Sequence, residues 1–231
     1  INLSQWAELM RIVIDSDVAR AATLALSTLL DDATKDSEDI PLKARARLLT
    51  TRAHALRFMG RIEEARSKID QALILAVESK DADIECAARY TAAWVYWDVN
   101  EHEEAREHLD AMEARAPSGD LERWEVRRLF MCCYVEARSG HHTEAKAAGL
   151  QAIRLATRRG EPRRVAMLHQ RLGAISRDMS DMADAINHTR KAAEIYAQIQ
   201  DRRNVAYTKN ALAMLFAVDH RLDEAGPLLD E

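Results

Sequence analysis

Gly60-Arg-Ile-Glu-Glu-Ala65 decides how this chain folds, because its pattern returns four more times. The copies are Asn100-Glu-His-Glu-Glu-Ala105, Gly140-His-His-Thr-Glu-Ala145, Ser180-Asp-Met-Ala-Asp-Ala185 and His220-Arg-Leu-Asp-Glu-Ala225. Each ends in Ala, and these anchors are 40 residues apart. Self-similarity at such a period is the mark of a stacked-repeat architecture. A sixth, divergent copy ends in Ala22, 43 residues before Ala65, and the acidic stretch from Asp31 to Pro41 accommodates the three extra residues. Six units follow, roughly 3–38, 44–82, 84–121, 124–162, 164–202 and 204–231, the last incomplete, forming a single repeat domain over 1–231.

Within a unit the residues spell two helices. Gly60, Asn100 and Gly140 tolerate the left-handed conformation that ends a helix, while Ser180 is read as the cap of the next one. The acid before each anchor (Glu64, Glu104, Glu144, Asp184, Glu224) favours the positive end of a following helix. Ile69 and Ala72, Leu109 and Met112, and Ala152 and Ile153 continue the buried stripe of that second helix. Twelve residues before the anchor stands a small side chain, Ala53, Ala93, Cys133, Gly173 or Ala213, which lets two helices approach closely. Gly226-Pro227 falls inside the last second helix, where a kink or fraying is expected.

The rest of the composition agrees. At 231 residues, 48% hydrophobic and 31% charged, with only seven Gly and four Pro, the chain reads as a folded all-α protein. A net charge of −5 excludes a generically basic nucleic-acid binder. No run of eighteen apolar residues and no charged-then-apolar leader occurs, so neither a membrane span nor a signal peptide is read. Cys86 and the neighbours Cys132 and Cys133 cannot make a disulfide framework, and a reducing, cytoplasmic location is expected. The start at Ile1 and the stop within a helical pattern at Glu231 read as a piece of a longer chain.

Catalytic and cofactor signatures are missing. There is no His-Glu-x-x-His and no Cys-x-x-Cys; His102 and His108 fall on different helix faces, and His141-His142 sits on a turn, so no metal is expected. Cys132 and Cys133 occupy positions where the repeat wants small buried side chains. Neither a phosphate-cradling loop nor a nucleophile elbow is present. Glu63-Glu64 and Glu103-Glu104 recur with the repeat and read as helix-start charge. The run Arg158-Arg159-Gly160-Glu161-Pro162-Arg163-Arg164 reads as a solvated connector. The expectation is a non-enzymatic protein with no cofactor.

Leu172-Gly173, Tyr96, Phe216 and, in the first unit, Trp6 with Leu9 resemble the tetratricopeptide repeat signature, as do the Gly or Asn turn and the anchor Ala. Glu136 and Ser176 replace its aromatic, Gly149 replaces its large second-helix residue, and the period is 40 residues. In that it is similar to the longer repeats of bacterial signalling proteins and of kinesin-light-chain-type scaffolds. The resemblance implies an all-α solenoid (a right-handed superhelix) whose first helices line a concave groove, at positions about 18, 15, 11, 8 and 7 before the anchor. Carried onto this sequence, the groove residues are Arg47, His54, Arg57 and Phe58; Tyr90, Trp94 and Trp97; Arg127, Phe130, Tyr134 and Arg138; Gln170 and Arg177; and Tyr207 and Asn210.

Seven of the chain's twelve aromatic residues fall on thirty such positions, where even scatter would place about two. With six Arg against three Asp there, the groove reads as aromatic and locally basic. That suits a peptide, a partner helix or a small anionic ligand stacked on Trp94, Trp97 and Tyr134 and held by Arg57, Arg127 and Arg138. The sequence leaves open that these aromatics pack between repeats and the arginines only solvate the groove edge. No membrane and no direct nucleic-acid contact is implied for this segment. The implied role is the sensory or regulatory part of a signalling or transcription-regulating protein, beside an effector such as a diguanylate cyclase or a helix-turn-helix activator. With 26 Arg to seven Lys, the composition points to a GC-rich bacterial genome. The alternative is a scaffold that forms homo-oligomers through its open ends.

Overall fold

The structure, a computed structural model, describes residues 41–117 and 120–229. The first repeat copy, with Trp6, Leu9 and Ala22, lies outside the described residues. Ten helices and no strands occur among the described residues. They are α1 (Leu42–Phe58), α2 (Ile62–Glu78), α3 (Ala82–Asp98), α4 (His102–Arg115), α5 (Leu121–Arg138), α6 (His142–Arg158), α7 (Pro162–Asp178), α8 (Met182–Gln198), α9 (Arg202–Val218) and α10 (Leu222–Leu229). Two compact units result, Ile1–Trp124 and Glu125–Glu231, divided within α5.

The origin of the 40-residue period is a 20-residue one. Seven helices, α1, α2, α3, α6, α7, α8 and α9, are 17 residues long. Three-residue turns join them, and the middle residue of each turn has a positive φ: Gly60, Lys80, Asn100, Gly140, Gly160, Ser180, Gln200 and His220. The next N–H reaches back over the left-handed residue to close the helix, from Arg61 to the Leu56 carbonyl at 3.0 Å and from Asp181 to the Ser176 carbonyl at 2.8 Å. Ser180 is therefore the left-handed turn residue and not the cap; Asp181 is the cap, its carboxylate accepting from the Asp184 N–H at 3.1 Å. α10 runs through Pro227 to Leu229 without a break.

In the first unit α1 packs on α2, α2 on α3, α3 on α4, and the first helices α1 and α3 also touch. Its core is largely alanine: Ala46, Ala53, Ala65, Ala72, Ala76, Ala88 and Ala92, with Leu56, Ile69, Ile84 and Val95. Small side chains bring the helix axes close and leave the larger ones to fill between them. The second unit packs α6 on α7, α7 on α8, α8 on α9 and α9 on α10. Here the close approaches are explicit: a Cβ at Gly149 would lie 2.9 Å from Leu172 Cδ2 and 3.0 Å from Cys133 Sγ. The departure from the repeat pattern at Gly149 is thus compensated by Leu172, whose side chain fills the vacated space.

Ion pairs tie successive repeats at equivalent places. Lys43 Nζ lies 2.8 Å from Asp81 Oδ2 in the first unit, and Arg163 Nη2 lies 3.2 Å from Asp201 Oδ2 in the second. Both acids sit at helix starts, where their charge also meets the positive helix end.

Candidate functional site

In the first unit, α1 and α3 present one face built from four of their aromatic residues. Tyr90, Trp94 and Trp97 recur along one side of α3 and meet edge to face, with ring centres 6.4 Å and 5.6 Å apart. On α1, His54 meets Phe58 edge-on at 4.7 Å. Arg57 joins the two helices: its guanidinium carbon lies 4.3 Å from the Trp94 ring centre and 5.0 Å from that of Phe58. Its Nε donates to Asp98 Oδ2 at 2.5 Å, and Nη2 donates to Oδ1 at 3.4 Å. Phe58 is 40% exposed, and the three α3 rings are half-buried.

The second unit gathers a smaller cluster. Arg171 lies over the Tyr134 ring at 4.7 Å, and Arg164 stands 5.3 Å from the centre of Phe130. Gln170 is half-buried and accepts a hydrogen bond from the buried Tyr196 hydroxyl at 3.2 Å. Farther along, α9 shows solvent an apolar stripe of Tyr207, Met214 and Val218, spaced for one helix side, with Asn210 exposed among them. Asn210 also lines a cleft with Val205, Ala206, Lys209 and Leu228.

One expectation is corrected. Phe130 is only 1% exposed; it packs in the core beside Tyr134, with ring centres 5.0 Å apart, and lines no groove. Some of the first-helix arginines are paired with acids. Arg57 is held by Asp98, Arg47 Nη2 lies 3.8 Å from Asp83 Oδ2, and Arg177 pairs with the adjacent Asp178 at 2.9 Å. Arg127 is half-buried and Arg138 exposed. The arginine-rich connector is knit to acids as well, Arg159 and Arg164 both binding Glu161.

Asp98, one of the three Asp on the thirty groove positions, and Arg171, which was not among the residues read from the sequence, carry much of this geometry. The Arg57–Asp98 spacing of 41 residues, one period plus one, was the available signal. Among the described residues no group of three His, Cys, Asp or Glu could hold a metal ion, and no helix is long and apolar enough to cross a membrane. Burial sets the thiols apart from reactive chemistry, pushing Cys86 up to about 11 and Cys133 up to about 12.

No family model and no curated protein matches the sequence. Solved structures do match. BtubC (BKLC) from P. vanneervenii aligns over 96% of this chain and 88% of its own, with 16% identity and a TM-score of 0.71. NprR in complex with its cognate peptide NprX aligns over 99% of this chain and 65% of its own, with 17% identity and a TM-score of 0.72. The tetratricopeptide repeat sensor protein PH0952 from Pyrococcus horikoshii, a signal transduction ATPase with numerous domains, aligns over 89% of this chain, with 16% identity and a TM-score of 0.62. The fold is a tetratricopeptide-type helical repeat. Its class is the all-α solenoid, and the aromatic faces just described lie on the first helices of tetratricopeptide-like hairpins. This chain spans 65% of the length of NprR and 34% of PH0952.

Proposed function

We propose that this chain is a non-enzymatic peptide- or protein-binding module, the sensory or regulatory segment of a larger cytoplasmic signalling or transcription-regulating protein. The observation that carries the reading is the first-helix face of the first unit, where Phe58, Tyr90, Trp94 and Trp97 stand together beside the Arg57–Asp98 pair. Clustered, partly exposed aromatic rings are the usual anchors of recognition surfaces. NprR, of like fold, is seen with a peptide, which supports a peptide as the ligand here too. The exposed α9 stripe extends the same apolar character to the second unit. Binding alters how the hairpins of the first unit pack on one another.

Capture from a bacterial lysate tests this, with the intact chain beside a Phe58→Ala/Trp94→Leu variant and mass spectrometry of what is retained. A peptide or protein held only by the intact chain is the expected result. Equal retention by both forms, with unfolding curves that superimpose, refutes the assignment. The α9 stripe favours a second reading, self-association, for which sedimentation velocity over a hundredfold concentration range is decisive.

A further inference from the structure

The most constrained group on the aromatic face is the arginine that stands ready to bind an anion and is already occupied. Arg57 is held along one edge and against two rings: Asp98 accepts from its Nε and Nη2, and the Trp94 and Phe58 rings lie 4.3 Å and 5.0 Å from its guanidinium carbon. Its side chain is 11% exposed and that of Asp98 is 20% exposed. A ligand carboxylate seeking the Nε–Nη2 edge of this guanidinium must displace a resident carboxylate at 2.5 Å and leave Asp98 without its partner in a half-buried niche, and one approaching the remaining N–H groups meets a side chain that is little exposed and whose charge Asp98 already balances. A two-point Arg–carboxylate contact is among the stronger polar interactions, and stranding one partner of it is costly. The most exposed ring of the face is that of Phe58.

We infer that Asp98 is a specificity determinant: by holding Arg57 it keeps ligand carboxylates off the aromatic face and restricts that face to apolar, uncharged peptide segments. This rests on the reading of the face as a peptide site, but the electrostatic role of Asp98 can be measured without any peptide. A ligand side chain then gains by covering Phe58 and the α3 rings, and a Glu or Asp in the same place gains nothing. Removing the resident carboxylate frees the guanidinium, and the face changes its preference.

Iodide and acrylamide quenching of tryptophan fluorescence, at constant ionic strength, reads the role of Asp98 directly. Asp98→Asn is expected to raise the iodide quenching constant at least twofold while leaving that of neutral acrylamide unchanged. The double variant Arg57→Gln/Asp98→Asn returns iodide quenching to the parent value. Glu104→Gln, the same charge change at an exposed position, has no effect. Asp98→Ser is a second variant should the amide disturb folding. Iodide quenching unaltered in both Asp98 variants, or raised equally by Glu104→Gln, overturns the inference. In a second arm, nine-residue capped peptides on an array, paired so that they differ only by Gln or Glu, are probed with parent and Asp98→Asn protein. The parent should favour the Gln member of each pair, and the variant should gain about tenfold for the Glu member. An array that captures neither form counts against the peptide reading, and the iodide result still decides the role of Asp98.

Discussion

His169 Nδ1 lies 2.8 Å from His188 Nδ1, so two imidazoles share a hydrogen bond inside the α7–α8 hairpin. Asp184 stands on the far side of His188, 3.6 Å from its Nε2, and accepts from Ser176 Oγ at 2.8 Å while Lys146 Nζ lies 2.7 Å away. With the Nε2 proton of His188 turned toward Asp184, its Nδ1 accepts and His169 donates, an arrangement that needs His188 neutral.

This pair makes stability depend on pH. Burial, then the charge of His188 and Lys191, lowers His169 to about 4. Burial also lowers His188, with Lys191 and Lys146 adding to it against the opposing Asp184 and Asp181. His108, half-buried beside Tyr96, is lowered to about 4 as well, by burial and then by the charge of Arg89. A histidine whose folded value lies below its unfolded value of about 6.5 contributes stability that is complete above the unfolded value and is lost as pH falls toward the folded one. The melting temperature should therefore be level from pH 8 to 7 and fall between pH 6.5 and about 4. A His169→Gln/His188→Gln variant should show a shallower fall. A level profile down to pH 5 in the parent contradicts the assignment.

Gly173 and Gly149 should respond differently to alanine. At Gly173 an added Cβ would come 2.5 Å from Thr189 Oγ1 and 3.2 Å from the Ala185 carbonyl oxygen, which the helix backbone cannot move cheaply. Gly173→Ala should cost about 1–3 kcal/mol by overpacking. Gly149→Ala meets chiefly the end of Leu172, which can rotate, so its cost should be smaller, offset in part by the better helix propensity of alanine. Urea unfolding of the two variants reads the order, and equal costs would contradict it.

Turn residues that pay for a left-handed backbone offer a stabilising change. Gln200 holds φ +58° and is exposed, its N–H donating to the Ala197 carbonyl at 3.1 Å. Gln200→Gly keeps that bond and removes the strain of a Cβ, so it should raise stability by about 0.5–1 kcal/mol. Gly60→Ala, at φ +74°, should lower it by about 1 kcal/mol. Chemical denaturation of both variants checks the sign.

The adjacent thiols should react at different rates. Cys133 is buried and pushed up to about 12, whereas Cys132 is half-buried, with Arg128 Nη1 3.9 Å from its Sγ. Of the two positions expected to be buried, only Cys133 is. Under native conditions iodoacetamide should label Cys132 at least tenfold faster than Cys133 or Cys86, and all three alike in denaturant. Peptide mass mapping gives the rates.

Much of the fold was legible because each hairpin restates the same local rules. The anchors Ala65, Ala105, Ala145 and Ala185 are wholly buried, as are Ala53, Ala93 and Cys133, for the reason their spacing announced: a small side chain at a helix crossing. Half of the turns were not legible. Lys80 and Gln200 carry no glycine-like signal, and only the packing of flanking 17-residue helices forces them into the left-handed region.

By itself the sequence determined the repeat, its period, the helical hairpin and the first-helix positions on which the aromatic residues stand, because these follow from local propensity and from spacing along one chain. Tertiary structure alone decided which of those side chains meet solvent and which arginines are already satisfied. Phe130, 15 residues before its anchor, and Phe58, 7 before its own, both fall on the expected groove positions, yet one is buried beside Tyr134 and the other is 40% exposed. Arg57 and Asp98 read as separate charges until two helices 41 residues apart set them 2.5 Å from each other. Burial and charge pairing depend on what a neighbouring helix brings, and that is a property of packing which no single position encodes.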